Sequence, residues 1–238
     1  MNWQQMAQRR SPQLERFARL GLRGNPFRVL EPEEVVASFV PYDGASVLEL
    51  SRLLELDTPL MEFSAGQGVG KTTLLRVLEH HWKEDGRSVE YHYLDAQRIE
   101  PLPEPRSDIV IIDEAQRMSR LERTRMLDWL DATEGHVVTG THRFWRTRRV
   151  PLRRHRLPRL DLHRIRAFFR QRIAMAGAAG RFELADDAAR WLLRRGVTLR
   201  RIERWLYEVF QRWPSEPARH YLLQKQELGI PTTRVLLR

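Results

Sequence analysis

The chain of 238 residues contains no cysteine, so neither a disulfide framework nor a thiolate metal site can hold it together, and the composition suits a reducing compartment. Lysine is nearly missing too: Lys71, Lys83 and Lys225 are the only ones among 41 basic residues. No apolar run approaches the roughly 20 residues needed to span a bilayer, which argues against a membrane-embedded protein. Residues 1–10 show no apolar stretch followed by a small-residue cleavage site, so the expected location is the cytoplasm. A Cys/His metal cluster and a dinucleotide-binding fingerprint are also missing, which leaves no sign of a structural zinc or a nicotinamide cofactor.

What is present describes a folded α/β protein. A hydrophobic content of 42% supports a packed core, and the length allows one full domain with a small appended one. The formal net charge of +10 makes a polyanion the first partner to consider, because clustered cations release counterions from a phosphate backbone. The excess is local. Residues 141–213 hold twenty arginines against six acids, which makes this region the candidate DNA footprint, although solvated arginine faces would give the same count.

Residues 58–64 (Thr-Pro-Leu-Met-Glu-Phe-Ser) read as a short buried strand that runs into Ala65, Gly66, Gln67, Gly68, Val69, Gly70, Lys71, Thr72 and Thr73. A helix is expected from Thr72 to about Lys83. A strand, a glycine-rich loop, Lys-Thr and a helix make a phosphate loop, in which backbone N–H groups and the helix N-terminus surround an anion. Lys71 would reach the β- and γ-phosphates of ATP, and the Thr72 hydroxyl would bind Mg²⁺. In a chain that otherwise uses arginine, a lysine here is informative, because a compact ammonium and a planar guanidinium are not interchangeable. Ala65 stands where the strict pattern has glycine, which is tolerable if its φ stays negative.

Residues 108–116 (Asp-Ile-Val-Ile-Ile-Asp-Glu-Ala-Gln) form an apolar run suited to a strand buried on both faces of a parallel sheet, and it ends in two acids. Asp113 can hold Mg²⁺, and Glu114 can orient or deprotonate an attacking water. By itself such a pair could also cap a helix. Following a phosphate loop, at the sheet edge where ligands of open α/β sheets bind, it reads as catalytic. Further strands are expected at 88–94 and 136–140. The second leads to Thr141 and His142, either of which could sense the γ-phosphate, though Thr-Gly-Thr also suits a turn. Between them, 117–132 has helical spacing.

With these residues placed, the sequence resembles the AAA+ ATPases of the ExeA/TniB group, relatives of the transposition target-selection proteins MuB and TnsC. The resemblance rests on Asn25-Pro26-Phe27, Asp113-Glu114-Ala115-Gln116, Leu157-Pro158-Arg159-Leu160 and 196–202 (Gly-Val-Thr-Leu-Arg-Arg-Ile). It implies an α/β P-loop fold with a parallel core sheet ordered 5-1-4-3-2 and a small C-terminal helical lid. The expected division is an N-terminal helical extension (1–24), a nucleotide-binding core (25–160), a lid (161–213) and a tail (214–238), with 232–237 as a possible strand. The resemblance also implies that Arg200 reaches the nucleotide from the lid. A neighbouring subunit would supply an arginine finger, Arg148 or Arg149, placed just before a strand expected at 156–160. The function so implied is a Mg-ATP-dependent ATPase that oligomerises on DNA and serves a partner such as a transposase. A protein-directed nucleotide switch and a helicase loader remain as alternatives; Phe144 and Trp145 would be the stacking groups of a single-strand binder.

Overall fold

The structure, a computed structural model, describes residues 12–40, 58–142, 147–195, 198–213 and 221–228. Phe144, Trp145, Gly196, Val197 and the possible strand at 232–237 lie outside these residues. In chain order the elements are α1 (Pro12–Arg19), α2 (Pro32–Ala37), β1 (Leu60–Ser64), α3 (Lys71–Glu84), β2 (Val89–Tyr93) and β3 (Ile109–Asp113). After a 3₁₀ turn (Ala115–Arg117) come α4 (Arg120–Ala132), β4 (His136–Thr141), β5 (Leu152–Arg156), α5 (Leu162–Met175) and β6 (Phe182–Leu184). The series closes with α6 (Asp186–Arg195), α7 (Leu199–Arg212), β7 (Tyr221–Leu223) and α8 (Lys225–Leu228). They form two compact units. One contains 12–40 with 160–228, and the other contains 58–159.

The unit of 58–159 is a parallel sheet of order β2-β3-β4-β1-β5, which is the expected 5-1-4-3-2 arrangement. Parallel strands covered on both faces need uninterrupted apolar side chains, and every residue of β3 is buried, as is every residue of β1. α4 starts at Ser119 in a capping box with Glu122. Burial would raise the Glu122 carboxyl, but the N–H groups of Leu102 and Ser119, with Arg98, hold it down to about 2.

The fifth strand is displaced from its expected position at 156–160. β5 is 152–156 (Leu-Arg-Arg-His-Arg), and Leu157 only continues the ladder, its N–H donating to the Ser64 carbonyl at 2.9 Å. As an edge strand with one partner, β5 keeps its side chains half-buried or exposed, so it shows none of the apolar pattern by which strands are found in a sequence. One of its arginines also has an internal task. Glu62 is fully buried on β1, and Arg154 Nε lies 3.2 Å from its carboxylate, supplying the cation that a buried acid needs.

The second unit shows a different boundary from the expected one. Asn25-Pro26-Phe27 packs into the helical unit. The Phe27 ring lies 5.7 Å from Phe169 and 5.3 Å from Phe210, Asn25 Nδ2 donates to the Tyr207 carbonyl at 3.0 Å, and the Phe27 N–H returns to Asn25 Oδ1 at 2.9 Å. Residues 25–40 therefore belong with 160–228. The unit is also not purely helical: β6 and β7 pair in parallel, with the Phe182 and Tyr221 rings stacked at 4.4 Å. Three-residue strands are too short to show periodicity, and their pairing spans a long stretch of chain.

Candidate functional site

The loop after β1 is tied down where it starts, because the Ala65 N–H donates to the Thr141 carbonyl at the end of β4. Gly68 (φ 68°) and Gly70 (φ 106°) occupy the left-handed region that glycine enters without a Cβ penalty. Ala65 is not among the positive-φ residues, so its methyl group imposes no strain. Gly70 caps α3. The first backbone N–H groups of that helix lack intrahelical partners and, with the helix dipole, favour an anion at this end.

Lys71 is buried, and its ammonium uses three protons: on the carbonyls of Ala65 (3.2 Å) and Gly66 (3.1 Å), and on His142 Nδ1 (3.1 Å). Burial lowers its pKa, while the carboxylates of Glu114 and Asp113 act in the opposite direction.

Asp113, fully buried at the end of β3, accepts three hydrogen bonds. The Thr72 hydroxyl donates to Oδ2 at 2.6 Å, the Tyr91 hydroxyl to the same oxygen at 3.1 Å, and the Glu114 N–H to Oδ1 at 2.9 Å. Burial and the Asp113 charge raise the Tyr91 pKa, so its phenol remains a donor, and the Arg76 guanidinium lies 3.4 Å from the centre of its ring. The Thr72 and Asp113 oxygens are the hard donors that Mg²⁺ prefers. Among the described residues no group of three or more His, Cys, Asp or Glu could hold a metal alone. An ion here would therefore take most of its ligands from water and a nucleotide, as Mg²⁺ commonly does.

Gly140 makes room for this carboxylate. It sits opposite Asp113 in the β3–β4 register, and a Cβ there would come 2.9 Å from Asp113 Oδ1 and 2.7 Å from Leu75 Cδ1. Gly140→Ala should cost about 1–3 kcal/mol through overpacking and displace Asp113 from Thr72. Chemical denaturation together with a crystal structure of the variant checks this. No change in either would show that the strands can move apart freely.

Glu114 is the only non-glycine residue with positive φ (61°) among the described residues. The left-handed region costs a side-chain-bearing residue about 1–2 kcal/mol, and such strain persists where a site demands it. The conformation turns the carboxylate toward three donors: Gln116 Nε2 (2.6 Å), Arg117 Nη2 (3.5 Å) and His142 Nε2 (3.3 Å). His142 is thus a bridge, with Nε2 directed at Glu114 and Nδ1 at Lys71. Nδ1 also lies 2.9 Å from the Ala65 carbonyl. Which of these neighbours each ring nitrogen serves is set by the tautomer of the ring. The Gln116 side-chain oxygen accepts the His142 N–H at 3.2 Å and fixes the end of β4.

The structure therefore brings residues 65–73, Asp113, Glu114, Thr141 and His142 to one edge of the sheet. Thr141 is buried there, whereas Gln67 and Thr72 are exposed. Arg149 lies elsewhere, paired with Asp128 at 2.8 Å and with Asp131 of α4. Arg148 is exposed and makes no ion pair among the described residues. Arg200 is exposed in the first turn of α7, in the helical unit. Sequence reasoning assigned no role to Tyr91, Gln116 or Arg117. Tyr91 reaches Asp113 only because the β2–β3 register places it on the same face two residues away. Gln116 was visible in the Asp-Glu-Ala-Gln box, but its two contacts depend on the 3₁₀ turn.

No protein-family model matches the chain, and no curated protein does either. Solved structures share its fold. A DNA replication initiation factor aligns over 76% of this chain at 16% identity and TM-score 0.55, and the chain spans 65% of that protein's length. The replication initiator DnaA bound to AMPPCP and single-stranded DNA aligns over 76% of this chain and 66% of its own, at 17% identity and TM-score 0.53. The Thermotoga maritima RuvB Holliday junction branch migration motor does so over 76% and 66%, at 16% identity and TM-score 0.52. With the strand order, these similarities show the fold: a five-stranded parallel α/β sheet with flanking helices, shared with the DnaA and RuvB structures.

Proposed function

We propose that this chain is a Mg-ATP-dependent ATPase that assembles on DNA and serves a partner protein such as a transposase. The observation that carries the ATPase reading is the convergence of Lys71, Thr72, Asp113, Glu114 and His142 within hydrogen-bonding reach at one sheet edge. The triphosphate would lie in the 65–73 loop, where Lys71 exchanges its carbonyl contacts for phosphate oxygens. Thr72 and Asp113 would hold Mg²⁺, which when bound neutralises charge on the β- and γ-phosphates. Glu114 accepts a proton from water as its oxygen attacks the γ-phosphorus. The bond to the bridging oxygen breaks, and ADP leaves with that electron pair. The contacts of His142 with both Lys71 and Glu114 support a role in coupling the γ-phosphate to the base, and a nucleotide-sensing role is proposed for Arg200.

Action on DNA is supported by the net charge of +10 and its concentration in 141–213, and by a shared fold with proteins named for replication initiation and branch migration. Assembly into an oligomer would let an arginine from the next subunit stabilise the transition state. Arg148 is the better of the two candidates, because Arg149 is already held by Asp128 and Asp131 of its own chain.

Steady-state ATP hydrolysis, with and without duplex DNA at low and high salt, tests this reading. We expect stimulation by DNA that fades as salt rises, and loss of both nucleotide binding and turnover in Lys71→Ala. Turnover indifferent to DNA would replace the DNA-assembled ATPase with a nucleotide switch that acts on proteins.

A further inference from the structure

We propose that the junction of α6 and α7 is a contact surface for the DNA phosphate backbone, built on a pair of arginines held over a pair of tryptophans. This inference rests on the DNA-directed reading above and names its site. Trp191 of α6 and Trp205 of α7 pack against each other with ring centroids 5.2 Å apart. The guanidinium of Arg195 lies 5.6 Å from the Trp191 ring, one helical turn away, and that of Arg201 lies 4.9 Å from the Trp205 ring. Arg194 and Arg204 are on the same two helices, and all four arginines are exposed.

The acids of these helices do not neutralise the patch. Asp186 binds Arg166 and Arg190, Glu203 binds Arg172, Glu208 binds Arg212, and Asp187 accepts the Lys225 N–H at 3.3 Å. Arg194, Arg195, Arg201 and Arg204 have no acidic partner among the described residues. Four uncompensated guanidiniums at one helix junction favour a polyanion over a neutral or mixed-charge partner.

The tryptophans explain why the cations are arginines held in place. A free arginine carries considerable rotamer entropy, and attraction to the indole ring beneath it restrains the side chain. A stacked guanidinium still presents its N–H edge, which suits bidentate binding of phosphate oxygens. The rings pack against each other at a tilt of 48°, lie beneath the guanidiniums and are half-buried against the helical core. They are therefore poor platforms for bases, so the surface reads backbone phosphates and not unstacked single strands.

The test measures binding of the full chain to a labelled 30-base-pair duplex across a salt series, with ATP analogue present. Arg195→Gln/Arg201→Gln should bind at least about tenfold more weakly at moderate salt. The slope of log K against log salt should fall by about 1.8, at about 0.9 per phosphate contact. Arg195→Lys/Arg201→Lys, which keeps the charge but loses the planar fork of donors, should retain the slope and bind only a few-fold more weakly. Arg120→Gln/Arg125→Gln removes equal charge from exposed positions on α4 and should leave the slope unchanged. DNA-free ATP hydrolysis should be the same in all of them, which shows that they fold. An unchanged slope in Arg195→Gln/Arg201→Gln, or an equal fall in the α4 control, overturns this site while leaving DNA binding by the chain intact. A wild-type chain that does not bind duplex overturns both proposals together.

Discussion

Glu114→Gln is expected to reduce ATP hydrolysis by about 10²–10⁴-fold, the usual contribution of a positioned general base, while ATP binding stays near the wild-type level. The amide has the shape of the carboxylate but cannot take the proton of the attacking water. The residue's backbone is set by the passage from β3 into the 3₁₀ turn and should persist, since neither the φ of 61° nor the Glu114 N–H bond to Asp113 depends on the side-chain charge. The contacts change character: Gln116, Arg117 and His142 all direct donors at this position, and an amide offers only one acceptor oxygen to them. Single-turnover hydrolysis beside equilibrium binding of a fluorescent ATP analogue separates the two effects. Turnover above about a tenth of wild type would exclude Glu114 as the base, and loss of binding would assign it a structural role in place of a chemical one.

Arg172→Ala should be the most destabilising single change in the helical unit, at about 3–5 kcal/mol, the range for breaking a buried ion pair from one side. Arg172 is 1% exposed. It donates Nε to the Pro26 carbonyl at 2.7 Å and Nη2 to the Arg28 carbonyl, and it pairs with Glu203 at 3.0 Å. Its loss leaves two carbonyls and a carboxylate without a donor and releases the segment of 25–40 from α5. Burial already raises the Glu203 pKa, against the lowering effect of Arg172 and Arg200, so the variant should raise it further. A group whose folded pKa lies above its unfolded value of about 4.3 stabilises most at low pH and loses that contribution as pH rises through the folded pKa. The deficit of the variant should therefore be largest near neutral pH and shrink toward pH 4. Urea unfolding at several pH values measures it. A loss under about 1 kcal/mol would mean that burial of Phe27, worth about 1.5–3 kcal/mol, holds the segment without the arginine.

The parts of this protein that can be read from its sequence are those whose chemistry is contiguous in the chain. A phosphate loop needs its glycines, lysine and threonine in consecutive order, because one backbone turn must enclose one anion, so the proposal for 65–73 could be made without coordinates. The same holds for the run of 109–113: a strand covered on both faces must be apolar throughout, and its first acids mark where it leaves the core. The order of the parallel sheet is a different matter: it was expected only from the resemblance to AAA+ ATPases, and the structure has that order. Tertiary structure alone decided what depends on register, on edges and on distant partners. Tyr91 reaches Asp113 through the alignment of β2 with β3, and Gly140 is required because it faces that same carboxylate across the ladder. β5 could not be located because an edge strand need not be apolar, and arginine-rich residues there satisfy both solvent and the buried Glu62. Asn25-Pro26-Phe27 joined the helical unit because Arg172, the donor to the Pro26 and Arg28 carbonyls, and the Phe168, Phe169 and Phe210 rings that receive Phe27 all lie far along the chain. A local pattern reports which surface a segment must bury, but the surface that buries it is chosen only when the chain folds.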